Sequence, residues 1–229
     1  MILPQITELV AICAKKGITN VILSPGSRCA PLTLAFTRHP DIHARTISDE
    51  RSAAFIALGM AQQLKQPVAL VCTSGSAALN YFPAVAEAFF QQIPLLILTA
   101  DRPAEWIDQY DGQTTFQPEV YGKHVKGSFQ FPDSTSNPDQ LWHSSRMVNE
   151  AINLTKQFPA GPVHINIPLR EPFYPEKGEV LIFPEKPRVF NLVKSKTAPT
   201  DESLIKLKSR LEIVQRILIV PGQQSSDSQ

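Results

Sequence analysis

Two segments of the chain, PVALVC at 67–72 and PLLILT at 94–99, are continuously apolar instead of alternating. A strand that is apolar on both faces needs cover on both faces, and parallel sheets flanked by helices provide it. The surrounding pattern agrees. Apolar positions 6, 9, 10, 12 and 13 predict a helix ending at Gly17, and a β-branched run at 20–24 predicts the first strand. Helices follow at 29–38, 50–64 and 76–91, separated by a strand at 43–48 and by the two apolar runs. Strands alternating with helices predict an α/β fold, a doubly wound and mostly parallel sheet with helices on both faces.

The rhythm breaks at 103–133, a long polar loop carrying Trp106, Tyr110, Gln113 and Phe116, and resumes with a helix at 138–157 and a strand at 163–168. The first domain is therefore expected to span 1–170. Residues 171–200 hold five prolines without sustained periodicity and read as a linker over the surface. A helix at 201–214 and a strand, RILIVPG at 216–222, then read as the truncated start of a second domain over 201–229, with too few elements to bury their own faces.

Charge narrows the partners. Lysine and arginine are scattered through the chain, the formal net charge is +1, and neither nucleic acid nor an anionic membrane is expected. No apolar run reaches the roughly 18 residues of a membrane helix, and MILPQITELVAICAKKG lacks a basic leader region. Cys13, Cys29 and Cys72 form an odd set inside apolar stretches, as reduced thiols of a cytoplasmic protein do.

Four expected strands end in polar corners: Ser24-Pro-Gly-Ser-Arg28, Ser48-Asp-Glu50, Thr73-Ser-Gly-Ser76 and Thr99-Ala-Asp-Arg102. A parallel sheet brings all four to its carboxyl edge, where α/β folds bind ligands. Gly26-Ser27 and Gly75-Ser76 precede helices and could present free backbone N–H groups to an anion, or could simply cap those helices. Neither corner has the glycine spacing of a dinucleotide or nucleoside-triphosphate loop. Arg28 and Arg102 suit bidentate recognition of carboxylates, so a ligand with two of them fits; the alternative is surface pairing with Asp101. The five histidines show no metal-ligand spacing, and His164 reads as a packed or solvent-facing strand residue.

Glu50 admits two roles. A carboxylate in a first helical turn favours the helix dipole, work that Asp49 could do equally. Yet the helix behind it, Ala53 to Ala61, is apolar or small all round, and the sheet can cover only one side. The other side, like that of helix 76–91, calls for a second subunit, and Glu50 would then face an interface where it can exchange a proton with a ligand nitrogen.

The motifs SPGSR, SDERSAAFIALGMA, CTSGSAALNYFPAVAEA, LLILTADRP and YGKH, in this order, resemble the N-terminal, pyrimidine-binding domain of thiamine-diphosphate enzymes. More narrowly, they resemble the synthases that join 2-oxoglutarate to isochorismate in menaquinone biosynthesis. The resemblance implies thiamine diphosphate with Mg²⁺ or Mn²⁺, a homodimer or homotetramer with the cofactor between subunits, and Glu50 as the activating glutamate on the pyrimidine nitrogen. It implies cofactor contacts at Ser74, Gly75 and Ser76, and substrate contacts at Ser27, Arg28, Arg102 and Gln113, with Gln117 the rival to Gln113. Cys29-Ala30 stands where the family has Ser-Thr. The family's G-D-G…N diphosphate and metal segment does not occur in this chain, which alone is expected to be inactive. An acetolactate-synthase-like carboligase and a non-catalytic carboxylate-binding domain are the alternative readings.

Overall fold

The computed structural model describes residues 4–133, 137–176, 178–193 and 198–220. Six strands, β1 (Asn20–Leu23), β2 (His43–Thr46), β3 (Val68–Cys72), β4 (Leu95–Asp101), β5 (Ser128–Gln130) and β6 (Val163–Pro168), form one sheet in the order β2-β1-β3-β4-β6-β5. Every pairing is parallel. The central strands β3, β4 and β6 are buried throughout, which is why PVALVC and PLLILT carry no polar face.

Side-chain alternation splits the core into two layers. Val21, Leu23, Val71, Leu98 and Ile165 face α1 (Pro4–Lys15), α2 (Ala30–Arg38) and α6 (Pro138–Lys156). Ile22, Leu70, Cys72 and Ile97 face α3 (Glu50–Leu64), α4 (Ser76–Asn80) and α5 (Phe82–Phe90). The doubly wound parallel sheet predicted from the apolar runs is thus the observed fold. Among the described residues, no helix is long and apolar enough to cross a membrane.

Three elements differ from the sequence reading. The helix expected at 76–91 is two helices, because Pro83 has no N–H to return to Leu79 and the ladder breaks at Tyr81. The break is anchored: Tyr81 Oη donates to the Val71 carbonyl at 2.9 Å and lies 3.2 Å from Ser24 Oγ. The loop at 103–133 holds a strand, β5, whose three residues extend the sheet beyond β6; so short a run, with Phe129 its only apolar residue, carries no periodic signal. The strand expected at 216–222 is not formed over 216–220, since among the described residues the second unit supplies no neighbouring strand for its hydrogen bonds; Pro221 and Gly222 lie outside the described residues.

The chain divides into a compact unit ending at Leu192 and a second unit from Val193. Within the first, residues 181–191 contain no helix or strand but dock on α1 and α6. Leu181 and Phe183 pack on the core, and Asn149 accepts from the Phe190 N–H and donates to the Arg188 carbonyl, both at 2.8 Å. The second unit holds α7 (Asp201–Ile213), capped by Thr200, whose Leu204, Leu207 and Leu211 stay exposed.

Candidate active site

Strand order reverses between β1 and β3, so the crevice of this sheet opens where the corners after those two strands meet. They touch directly. A Cβ on Gly26 would fall 2.4 Å from Thr73 Cβ, so the first corner packs against the second only with glycine there. Cys29 braces the same turn, its thiol reaching the Gly26 carbonyl at 3.2 Å and the Ser24 carbonyl at 3.5 Å. The thiol thus acts as the donor at this turn. All three cysteines are buried and free.

Glu50 opens α3 beside this crevice. Capping belongs to its neighbour: Asp49 Oδ1 accepts from the Ser52 N–H at 2.7 Å. Among the described residues, no hydrogen bond or ion pair engages the half-buried Glu50 carboxylate. It lies close enough to the thiols at the crevice floor that, after burial itself, its charge helps raise both Cys29 and Cys72 above the ordinary range. Behind it α3 buries only Ala53, Ala54, Ala57 and Ala61, leaving Phe55, Ile56 and Leu64 more than 40% exposed.

The other end of the edge is crowded with hydrogen bonds. Arg102, at the carboxyl end of β4, donates from Nη1 to Ser74 Oγ at 2.7 Å, and its Nε and Nη2 meet Asp111 Oδ2 and the Gly112 carbonyl. Its side-chain ion partner is therefore Asp111; Asp101 accepts only its backbone N–H, at 2.7 Å. Arg28 reaches the Leu169 carbonyl at 2.7 Å and stacks 4.8 Å over the Phe173 ring. Burial and then the Arg102 charge lower the Arg28 pKa, opposed by Asp111, Glu171 and Asp101; the guanidinium stays protonated. Both arginines hold the Asp111 carboxyl below its usual range, the bond from Arg102 most of all. Ser27 is exposed at the same corner.

The structure separates Gln113 from Gln117. Gln117 is fully buried with every polar atom in use: Oε1 accepts from the Gly75 N–H at 2.7 Å, and Nε2 donates to the Ala100 carbonyl and Asn166 Oδ1, both at 3.0 Å. Gln113 is exposed with a left-handed φ of 55°, and its carbonyl lies against Gly75, 2.9 Å from where a Cβ would stand. Of the two, Gln113 alone can meet a ligand with its side chain. The Gly75 N–H, one of those that could have been free for an anion, is taken by Gln117, and Ser74 is turned inward to Arg102; Ser76 remains exposed.

Sequence reasoning did not find the buried network beneath these corners. Asn166 joins Thr99, Asp101, Gln117 and Gln130, and Thr99 Oγ1 lies 2.8 Å from His164 Nε2. Burial presses His164 down to about 3, so it is the neutral, packed ring that its strand position allowed. Burial also raises Asp101, against the bonds from Asn166 and Arg102 that favour its charge. Alternation of His164 and Asn166 with valine and isoleucine is the sequence signal that marks a polar stripe on one sheet face. Among the described residues, no three His, Cys, Asp or Glu side chains gather as a metal site.

Residues 6–126 match the family described as thiamine pyrophosphate enzyme, N-terminal TPP binding domain. The chain belongs to this family. The match takes in Glu50, both arginines and all four corners of the carboxyl edge. Individual relatives are similar over more of the chain. A protein of Cytophaga hutchinsonii named 2-succinyl-5-enolpyruvyl-6-hydroxy-3-cyclohexene-1-carboxylate synthase is 50% identical over 222 residues, 97% of this chain and 39% of that protein. Proteins with the same name from Flavobacterium johnsoniae and Bacteroides fragilis are 43% and 45% identical, over 90% and 77% of this chain. The chain spans about two fifths or less of the length of these curated relatives.

The site of this thiamine pyrophosphate domain fits half of its cofactor. An unpaired carboxylate at the mouth of an apolar helix suits a ring that offers a nitrogen on one edge and an apolar face. With the Gly75 amide engaged and no acidic cluster at hand, a diphosphate and its metal find no comparable cradle among these corners.

Proposed function

We propose that this chain is the N-terminal part of a thiamine-diphosphate-dependent synthase that decarboxylates 2-oxoglutarate and adds the resulting four-carbon unit to isochorismate, in menaquinone biosynthesis. Residues 1–170 are the pyrimidine-binding domain, 171–200 a linker and 201–229 the start of a central domain. The observation that carries the reading is the placement of Glu50, relieved of capping by Asp49, left without a partner among the described residues and lying on the same carboxyl edge as the two arginines.

When bound, thiamine diphosphate supplies the electron sink for loss of carbon dioxide. Glu50 holds a proton at the pyrimidine nitrogen. The exposed apolar side of α3, with Leu79 and Phe90 of α4 and α5, packs on a second copy and excludes water from that carboxylate. Arg28 and Arg102, with Ser27 and Gln113, orient the dicarboxylate substrates, and Ser74, Gly75 and Ser76 shape the wall of the cofactor site. Mg²⁺ or Mn²⁺ and the diphosphate belong to a domain outside this chain. The protein is cytoplasmic.

Support comes from the matched family, from the shared name of the relatives and from two arginines converging on one corner. The test is substrate profiling of the full-length enzyme. Turnover with isochorismate and 2-oxoglutarate is expected; turnover with pyruvate and none with this pair would overturn the reading in favour of an acetolactate-synthase-like enzyme.

A further inference from the structure

An arginine binds a carboxylate best through the parallel N–H groups of one edge, Nε and the Nη beside it. On Arg102 that edge, Nε with Nη2, is already filled. Asp111 Oδ2 sits on Nε and the Gly112 carbonyl on Nη2, two oxygens side by side as the two oxygens of one carboxylate would be. We propose that Asp111 with the Gly112 carbonyl is an internal stand-in for a substrate carboxylate, which a dicarboxylate must displace from Arg102, so that Asp111 sets how tightly the enzyme takes its acid substrates. The proposal rests on the functional reading above.

Three observations make displacement feasible. First, the arginines are met by carboxylates without a ligand: Asp111, Glu171 and Asp101 all act on Arg28, and Asp111 feels both arginines. A dianion entering with Asp111 in place would face its negative charge; one that expels Asp111 removes that repulsion and takes its place on Arg102. Second, the loop gives up little. Tyr110 is fully exposed, Asp111 and Gly112 are exposed, and the hydrogen bonds tying Asp111 and Gly112 to the sheet are those to Arg102. Third, Asp108, Tyr110 and Gln113 all hold left-handed φ values, 63°, 56° and 55°, a backbone conformation that costs each of these non-glycine residues energy in the bound loop.

The exchange has a local consequence. The Gln113 carbonyl lies against Gly75, so a loop released from Arg102 also uncovers the corner expected to face the cofactor. Nη1 of Arg102 keeps its bond to Ser74 meanwhile, holding the guanidinium plane ready for the incoming carboxylate.

The sign of the effect is diagnostic. In the full-length enzyme, Asp111→Asn keeps an acceptor for Nε but removes the competing charge, and Asp111→Ala removes both. Both variants are expected to lower the KM for the acid substrate held by Arg102, and the inhibition constant of succinate used as a probe, by about three- to tenfold. A residue that merely steadied Arg102 would move both constants upward on removal. Arg102→Ala separates the two levels of the argument. If Arg102→Ala raises a KM and the Asp111 variants do not lower it, this inference falls and the functional reading stands. If Arg102→Ala changes no KM, the reading of the corner itself falls, and the inference with it.

Discussion

The two ends of the carboxyl edge use their polar groups in opposite ways. At the β4 end, Arg102, Ser74, Gly75, Gln117, Asn166 and Asp101 satisfy one another, and the network continues into the sheet through Thr99 and His164. At the α3 end, Glu50 has no partner among the described residues, and the helix behind it shows Phe55 and Ile56 to its surroundings. A saturated polar cluster is built to hold shape; a bare carboxylate over an apolar face is built to receive something. The first end is satisfied within the domain, and on the proposed reading the second is completed by a second copy.

Breaking the saturated end has the largest expected effect on stability. Gln117→Leu strands the Gly75 N–H, the Ala100 carbonyl and one bond of Asn166 in the interior, and is expected to cost about 3 kcal/mol, read as a lower denaturant midpoint. An unchanged midpoint would mean that the network is ornamental.

The next effect is a pH dependence. His164 is pressed down to about 3 by burial, whereas in the unfolded chain it titrates near its ordinary value. The unfolded state therefore binds the extra proton between those values. This contribution to stability is intact above about pH 6.5 and is lost progressively toward pH 3. Between pH 7 and pH 5 it amounts to about 2 kcal/mol. His164→Gln should flatten the stability profile over that interval relative to the parent, and parallel profiles would show that the ring titrates freely.

The smallest effect belongs to the cap. Asp49→Ala removes the acceptor for the Ser52 N–H and should lower the Tm by about 2–4 °C while Glu50 stays available. An unshifted Tm would return the capping role to Glu50.

How legible each end was in the sequence follows from the same contrast. PVALVC and PLLILT dictated the parallel sheet because burial on both faces favours apolar residues at successive positions, and the four corners followed from strand direction alone. The uncovered apolar side of α3 behind Glu50 was legible because that helix segment has few polar residues. The saturated end was not, because its members come from β4, the loop after it, the corner after β3 and β6, and pair through tertiary contacts that no local spacing encodes. Hence anion binding and capping both stayed open for the Gly75 corner, and Gln117 stayed a rival to Gln113. The division at Tyr81 could have been read from Pro83, which apolar periodicity across 76–91 conceals.

The account turns on Glu50 being a carboxylate held for a ligand, and one substitution tests that most directly: Glu50→Gln in the full-length enzyme, with turnover and thermal unfolding measured on the same preparation. The expected result is a fall in kcat of at least about 100-fold, as for loss of a positioned proton-transfer group, with the Tm unmoved. Near-normal turnover, or a loss of activity that merely follows a loss of folding, would contradict it.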